Sequence, residues 1–256
     1  NLGSVKNSGL EVTLNTSIVE TEKFYFDLGI VASFIDTKLK KLGEGIQPVI
    51  FNGVQRHVEG YPLGGYWDEQ YTYSDANGDG FIGQNEVQVG ETVYLGTPFA
   101  TTDITFSPTV GLFNNALVFR GLLNYKGGQK LYNNTGAWRN GNSNTQELND
   151  PNASLAGQAR AVASKFLGTN AGYIEDASFW RLREISLTYN APQKFVSSIG
   201  FSRVSLTLSG QNLGIWTDYS GLDPEISSTG QSNFATEEFL SQPPTRSWKI
   251  RLNLSF

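Results

Sequence analysis

Residues 246–256, RSWKIRLNLSF, decide the fold class of this chain. Apolar side chains occupy every second position from Trp248 to Phe256, and polar side chains occupy the positions between them. Because successive side chains of a β-strand point to opposite faces, the pattern predicts a strand with one apolar and one polar face. Such a strand suits a soluble β-sandwich. It also suits a transmembrane β-barrel, whose strands turn an apolar face to lipid and a polar face to the lumen.

The composition narrows the possible classes of protein. The chain has 256 residues, no cysteine and a net charge of −5, so we expect no disulfide, no thiolate metal site and no nucleic-acid partner. Aromatic residues make up 12% and glycines number 28, which is typical of β-rich proteins with many turns. No run of about 18 apolar residues predicts a transmembrane helix. Because the chain starts with Asn1 and contains no methionine, we expect it to be a piece of a longer protein.

Six further segments alternate in the same way, and they are residues 10–19, 24–34, 104–112, 117–126, 179–189 and 204–216. Several exceed the ~5–6 residues usual in globular sheets and reach the ~9–11 residues that cross a bilayer at a tilt. Pro108 predicts an irregularity in its strand, because proline has no N–H to donate. A change of phase near Glu184 predicts a β-bulge.

The connections between the predicted strands alternate between short and long. The short ones are residues 20–22, 114–115 and 192–200, and the long ones are residues 38–101, 127–177 and 218–244. Bacterial outer-membrane barrels alternate short periplasmic turns with longer extracellular loops, whereas the two ends of a sandwich are equivalent. We therefore predict that residues 1–256 form the carboxyl-terminal part of one all-β domain, an antiparallel transmembrane barrel. Its long loops are extracellular and its carboxyl terminus is periplasmic.

About seven strands are too few for a complete barrel, because single-chain bacterial barrels use even numbers from about eight upward. We therefore expect further strands before Asn1. Within the second long loop, a helix is predicted with Asp150 as its cap, Pro151 at its first position and Gly168 at its end.

The first long loop contains a motif with recognisable chemistry, DANGDGFIGQNE at residues 75–86. It matches the twelve-residue calcium-binding loop position by position. The predicted ligands are the side chains of Asp75, Asn77, Asp79 and Glu86 and the backbone carbonyl of Phe81. Gly80 makes the sharp turn, and a water would replace the missing side chain of Gly83. The motif predicts a structural Ca²⁺ that holds an outer loop, and the alternative is a polar turn without an ion.

Other candidates carry weaker signals, and no catalytic residue is predicted. His57 is interpreted as a loop residue, because a general base needs a positioned partner. Asp223 and Glu225 flank Pro224 and are more typical of a turn than of paired carboxylates that cleave a glycoside. Loop and interface aromatic residues either stack on sugars or pack locally, and these are Tyr66, Trp67, Tyr71, Tyr73, Trp138 and Trp216.

Several stretches, in this order along the chain, together resemble one known family. They are NSGLE at residues 7–11, DANGDG at 75–80, EDASFWRLR at 175–183, SGQNL at 209–213, GLDPE at 221–225, and the final strand. The chain resembles the carboxyl-terminal third of the SusC/RagA type of TonB-dependent outer-membrane transporter. Trp180 departs from this pattern, because the family often has an aliphatic residue there.

The resemblance implies a 22-stranded barrel with an amino-terminal plug, surrounded by outer-membrane lipid in a Gram-negative, Bacteroidota-like bacterium. It also implies a SusD-like surface lipoprotein as partner, and TonB, which would contact a region outside this sequence. The implied function is TonB-dependent import of a nutrient such as an oligosaccharide or a peptide. Two alternatives stay open, namely an outer-membrane receptor or adhesin without transport and a soluble calcium-binding β-domain.

Overall fold

The computed structural model of this chain describes residues 3–230 and 235–256. Residues 1 and 2 of the predicted domain, and residues 231–234 of the third predicted loop, lie outside the described residues. The strands are β1 (Gly3–Glu20), β2 (Phe24–Leu42), β3 (Val49–Phe51), β4 (Gln55–His57), β5 (Gly65–Tyr73), β6 (Val87–Gly96), β7 (Thr102–Leu112), β8 (Leu117–Gly127), β9 (Lys130–Tyr132), β10 (Ile174–Asp176), β11 (Phe179–Asn190), β12 (Arg203–Thr217) and β13 (Ser247–Ser255). The α-helices are α1 (Asn134–Gly141), α2 (Gln146–Asn149), α3 (Leu155–Leu167) and α4 (Gln193–Ser198).

The main element of the described chain is an antiparallel sheet of seven strands in the order β1-β2-β7-β8-β11-β12-β13. The seven predicted strands are these seven, and each pairs with its neighbour in chain order. The outermost strands, β1 and β13, each pair on one side. The described part is therefore a partial sheet and not a closed barrel.

The two faces of this sheet differ in polarity as the alternation predicts. Directly paired residues share a face, and Ile30 of β2, for example, lies opposite Leu14 of β1 and Phe106 of β7. Exposed apolar side chains on this face include Leu10, Leu14, Phe34, Phe119, Leu187, Leu208, Ile250 and Leu252. The opposite face carries polar side chains that include Asn15, Asp27, Ser107, Asn124, Arg181 and Lys249. An apolar face this large requires a partner other than water.

Two predicted irregularities within the sheet have different outcomes. The bulge near Glu184 is confirmed, because the register of β11 shifts between Leu182 and Glu184 against both neighbours. Pro108 pairs with Leu28 of β2, and the β7–β8 pairs on either side of it keep one register. Proline removes a donor from the ladder without moving the adjacent strand, so the irregularity is a local gap and not a bulge.

The short connections contain more structure than the sequence predicts. In the turn between β7 and β8, Phe113, Asn114 and Asn115 have φ values of 54°, 56° and 65°, which asparagine tolerates better than most residues. The link between β11 and β12 contains the short helix α4. Asn190 joins the two, because its Nδ2 donates to the Asn115 carbonyl at 2.7 Å.

The prediction of an irregular loop over residues 38–101 is wrong. Strand β2 continues to Leu42, and β3, β4, β5 and β6 form a separate four-stranded sheet. Its first two strands have three residues each, and the β5–β6 register shifts twice, near Trp67 and near Tyr71. Short strands and register shifts break the two-residue period, which is why the alternation is not visible in the sequence.

The helix predicted to begin at Asp150 begins instead at Leu155. Ser154 is its cap, and its hydroxyl accepts a hydrogen bond from Gly157 N at 3.1 Å. Asp150 ends α2, and its carboxylate accepts from Asn152 N at 2.8 Å, which stabilises a turn. Asp and Ser are both favoured caps, so the sequence alone does not distinguish them. Gly168 ends the helix as predicted, with a left-handed φ of 84°.

The three long connections pack on one another at one end of the main sheet. Gln55 of β4 is fully buried, and its side chain exchanges two hydrogen bonds with Thr236, of 2.8 and 3.1 Å. The hydroxyl of Tyr66, also fully buried, donates to the Thr236 carbonyl at 2.7 Å. A cluster of buried apolar residues joins the first and second connections, and it consists of Val54, Tyr66, Tyr132, Ala137, Tyr173 and Ile174.

No helix in the described part of the chain is both long enough and apolar enough to cross a membrane.

Candidate functional site

The predicted calcium loop, residues 75–86, folds as a compact turn between β5 and β6. Gly78 and Gly80 have φ values of 73° and 81°, so both positions need the conformational freedom of glycine. The two carboxylate oxygens of Asp75 accept hydrogen bonds from Gly78 N at 2.9 Å and Gly80 N at 3.1 Å. Asp79 accepts from Phe81 N at 2.8 Å. These bonds turn the side-chain oxygens toward the loop backbone.

Glu86 closes the same loop from its far end. Its carboxylate accepts from Ala76 N at 3.0 Å and from Gly83 N at 2.9 Å, while its carbonyl accepts from Ser74 N at 3.0 Å. Asn77 lies between, with its Oδ1 accepting from Asp79 N at 3.0 Å. A carboxylate oxygen that accepts one hydrogen bond keeps a second lone pair, which a cation can still use.

The predicted ligands are near one another in the chain but do not form a ready metal cluster. Among the described residues, no group of three or more Asp, Glu or His side chains is placed to hold a metal ion. The hydrogen bonds within residues 75–86 also occur in a polar turn without an ion. The calcium site therefore stays a prediction.

The loop is attached to helix α3 through Gln158. Its Oε1 accepts from the buried Ile82 N at 2.9 Å, and its Nε2 donates to the Gly80 carbonyl at 3.1 Å. Ile82 and Val87 pack against one side of α3 in a cluster completed by Ala159, Val162 and Ala163. The position of the loop is thus coupled to that of α3, which belongs to the second long connection.

A buried ion pair attaches the third long connection to the polar face of the main sheet. Arg181 of β11 donates through Nη2 to both carboxylate oxygens of Asp223, at 2.6 and 2.7 Å. The two side chains are 4% and 5% exposed. A pair this well shielded from water requires close and complete hydrogen bonding, because each charge is costly to bury alone.

Glu225 extends this ion pair into a network. It receives two hydrogen bonds of 2.7 Å from Arg183, and Lys126 Nζ lies 3.1 Å from its Oε1. Burial by itself raises the pKa of the Glu225 carboxyl, but the hydrogen bond and charge of Arg183, with the charge of Lys126, outweigh it. The pKa therefore lies below its ordinary value. Arg183 is missing from both pairing registers of β11, so the bulge places it.

The role of these arginines is not visible in the alternating sequence pattern. The sequence predicts a turn at Asp223 and Glu225, and the stretch containing Arg181 and Arg183 carries only the family resemblance. A signal of this pairing is present in the charges of the sequence. Arg181 and Arg183 alternate along a basic stretch, and Asp223 and Glu225 are spaced in the same way along an acidic stretch. In the structure these two stretches bind each other.

Two cavities lie beside helices α2 and α3. The larger has a volume of about 590 Å³ and the smaller of about 300 Å³, and both are lined by Glu147 and Arg160. These two residues form an ion pair, and the Arg160 guanidinium carbon lies 4.8 Å from the centre of the Tyr173 ring. Burial raises the pKa of the Tyr173 hydroxyl to about 12.

The remaining candidates have structural contacts. His57 Nδ1 accepts from Gly64 N at 2.9 Å, its ring packs on Phe51, and burial lowers its pKa. Tyr66 is buried and cannot stack on a surface ligand, whereas Trp67 packs in a cluster with Tyr61 and Tyr94. The other aromatic candidates keep exposed edges. Trp216 belongs to the apolar face of the sheet and is 57% exposed.

No family model matches the chain. TonB-dependent receptor P26 of Formosa agariphila is 29% identical over 308 residues, which covers 100% of this chain and 30% of the relative. TonB-dependent receptor SusC of Bacteroides thetaiotaomicron is 26% identical over 272 residues, covering 91% of this chain and 25% of the relative.

The fold also has close structural counterparts. The RagAB peptide importer in its closed-closed state superimposes with a TM-score of 0.76 at 19% identity, over 100% of this chain and 30% of that one. The open-open state gives a TM-score of 0.71 over 99% of this chain. At this identity the likeness shows the fold alone, and it confirms the predicted antiparallel barrel class.

The sequence relatives are TonB-dependent receptors, a class of outer-membrane protein, and the two-faced sheet suits that class. Within that class the chain is similar in sequence to SusC, and it shares the fold of the RagAB importer. It spans about 30% of the length of the curated relatives that it matches along its whole length.

Proposed function

We propose that the receptor containing this chain imports a nutrient, an oligosaccharide or a peptide, across the bacterial outer membrane. TonB supplies the energy, and a SusD-like surface lipoprotein cooperates in capturing the ligand. The observation that carries the proposal is the arrangement of the sheet and its connections. One face is apolar, the other is polar, and three long connections pack together at one end, where they can bind a ligand above the polar face.

The orientation follows from the same arrangement. Outer-membrane barrels place their long loops outside the cell and their short turns in the periplasm. The connections that carry the calcium motif, helix α3 and Asp223 are therefore extracellular in this proposal. The carboxyl terminus of β13 then lies on the periplasmic side. The polar cavities beside α3 suit a ligand with many hydrogen-bonding groups, which both nutrient classes have.

Uptake by living cells tests import directly. Cells with and without the complete receptor receive labelled oligosaccharides or peptides, and intracellular label is measured separately from label on the surface. We expect uptake that requires the receptor and stops when a protonophore removes the proton-motive force. Ligand bound at the surface without uptake would contradict import and favour a receptor or adhesin barrel instead.

We also propose that residues 75–86 bind a structural Ca²⁺ in that outer connection. The support is the position-by-position match, the left-handed Gly78 and Gly80, and the inward-turned oxygens of Asp75, Asn77 and Asp79. The ligands that would hold the ion are these three side chains, Glu86 and the Phe81 carbonyl. A hard cation with six to eight oxygen ligands would complete the set with water.

Terbium luminescence tests the calcium site, because Tb³⁺ replaces Ca²⁺ and is excited through a nearby tyrosine such as Tyr73. We expect the complete receptor to sensitise Tb³⁺ and to lose the signal when Ca²⁺ competes. Asp79→Ala should abolish the signal, whereas Glu91→Gln, an exposed acid in the β5–β6 hairpin but outside the motif, should preserve it. Equal signals from the two variants would refute the site.

A further inference from the structure

The short helix α4 has an exposed apolar side that nothing in the described chain covers. Phe195 is 57% exposed and Ile199, which follows the helix directly, is 47% exposed. Residues four apart lie on the same side of a helical turn, so these two side chains form one patch. Val196, at the margin of this patch, is 1% exposed and fixes the helix against the protein.

The polar residues of α4 lie on its other side. Lys194 and Ser197 are exposed, and they project away from the Phe195–Ile199 patch at 100° per residue. The helix is therefore amphipathic over its short length. An aromatic and an aliphatic side chain on one side, with lysine on the other, is the composition of segments that lie in a membrane interface.

The exposed patch lies at the same end of the main sheet as apolar side chains next to β13. The Phe201 ring, just after α4, packs 5.0 Å from the ring of Phe256, which follows β13. Phe256 is 92% exposed and shares the alternation phase of the apolar residues Leu252 and Leu254. At the same end of the sheet, the neighbouring β7–β8 turn presents Phe113, which is 66% exposed.

We propose that α4 is a membrane-interface anchor, which inserts Phe195 and Ile199 at the boundary between lipid headgroups and acyl chains. The patch extends the lipid-facing surface of the sheet beyond the ends of β11 and β12, on the side of the short connections. Lys194 on the polar side would lie at the level of the lipid phosphates. The inference rests on the membrane placement of the sheet.

Site-directed spin labelling of the complete receptor in phosphatidylethanolamine–phosphatidylglycerol vesicles tests this inference. This chain has no cysteine, so a label introduced into it is unique within it. Phe195→Cys and Ile199→Cys report the patch, Ser197→Cys reports the polar side, and Leu252→Cys reports the sheet face. For each label, collision with apolar oxygen is compared with collision with a water-soluble nickel chelate.

We expect the labels at 195 and 199 to favour oxygen over nickel several-fold more than the label at 197. They should approach the ratio at 252. Equal access of the nickel chelate to the labels at 195 and 197 would overturn the proposed anchor. Protection of the label at 195 from both oxygen and nickel would also overturn it, because that result indicates a contact with protein. If the label at 252 is itself open to nickel, the membrane placement of the sheet fails, and with it the proposed function.

Discussion

The buried pair of Arg181 and Asp223 gives the sharpest prediction about the outer connections. Asp223→Ala removes two hydrogen bonds of 2.6 and 2.7 Å between side chains that are 4% and 5% exposed. Breaking a buried pair by removing one partner costs about 3–5 kcal/mol, because the remaining charge has no compensation. Glu225 still lies 3.2 Å from Arg181 Nε, so we expect about 3 kcal/mol, the lower end of that range.

Hydrogen exchange of the complete receptor measures this cost as local opening. An increase of about 3 kcal/mol in the free energy of the closed connection corresponds to roughly a hundredfold faster exchange. The reporters are amides of the third connection, such as Leu222 N, which donates to Glu238 at 3.1 Å. Amides of α3 that do not contact this connection should keep their rates and serve as an internal reference.

Two further variants test whether the cost comes from leaving the Arg181 charge buried and unpaired. Glu225→Ala leaves the buried Arg181 paired with Asp223 and breaks the pairs of Glu225 with the partly exposed Arg183 and Lys126. These two pairs together are worth about 1 kcal/mol, so exchange should accelerate only about fivefold to tenfold. Arg181→Met combined with Asp223→Leu removes both charges and should restore most of the protection, because no unpaired charge stays buried. Equal acceleration by Asp223→Ala and Glu225→Ala, or no recovery in the double variant, would show that the burial argument is wrong.

Two other predictions concern the same end of the molecule. Gln158→Ala leaves the buried Ile82 N–H without an acceptor, at a cost of about 1–3 kcal/mol. Hydrogen exchange within residues 80–86 should therefore accelerate. The control Gln146→Ala changes an exposed side chain and should leave these rates unchanged. Acidification should loosen the third connection, because the folded pKa of Glu225 lies below its unfolded value. The stabilisation that ionised Glu225 gives to the folded connection is complete above the unfolded pKa and is lost as pH falls through the folded pKa. Exchange measured against pH, corrected for intrinsic rates, should show this loss in the parent and not in Glu225→Gln.

The strands of the main sheet can be predicted because the pattern that specifies them lies within each strand. Alternation depends on the side-chain period of a strand, and an apolar face toward lipid keeps that period unbroken over many residues. The bulge at Glu184 is visible for the same reason, since it reverses the phase from Leu182 to Ile185. The β3–β6 sheet is not predictable in this way, because β3 and β4 have three residues each and the β5–β6 register shifts twice.

The contacts that organise the outer end depend on distant residues. Asp223 looks like part of a turn until Arg181, 42 residues earlier, is brought beside it by the pairing of β11 with β12. Asp150 has the chemistry of a helix cap, and it loses that role because α2 ends there and Ser154 caps α3 instead. The calcium motif is fully visible in the sequence, and its geometry now specifies which oxygens are turned inward.

The hydrogen bonds that join Gln55 and Tyr66 to Thr236 constrain the order in which the molecule can be completed. The partners are separated by 181 and 170 residues, so the chain must bring its third long connection into place before the first has a fully paired interior. Contacts between such distant residues form late, because closing a long loop costs entropy before any contact repays it. The interior of the β3–β6 sheet is therefore completed only when the third connection has folded against it. Until then, the hydrogen bonds of Gln55 and Tyr66 to Thr236 are not yet formed.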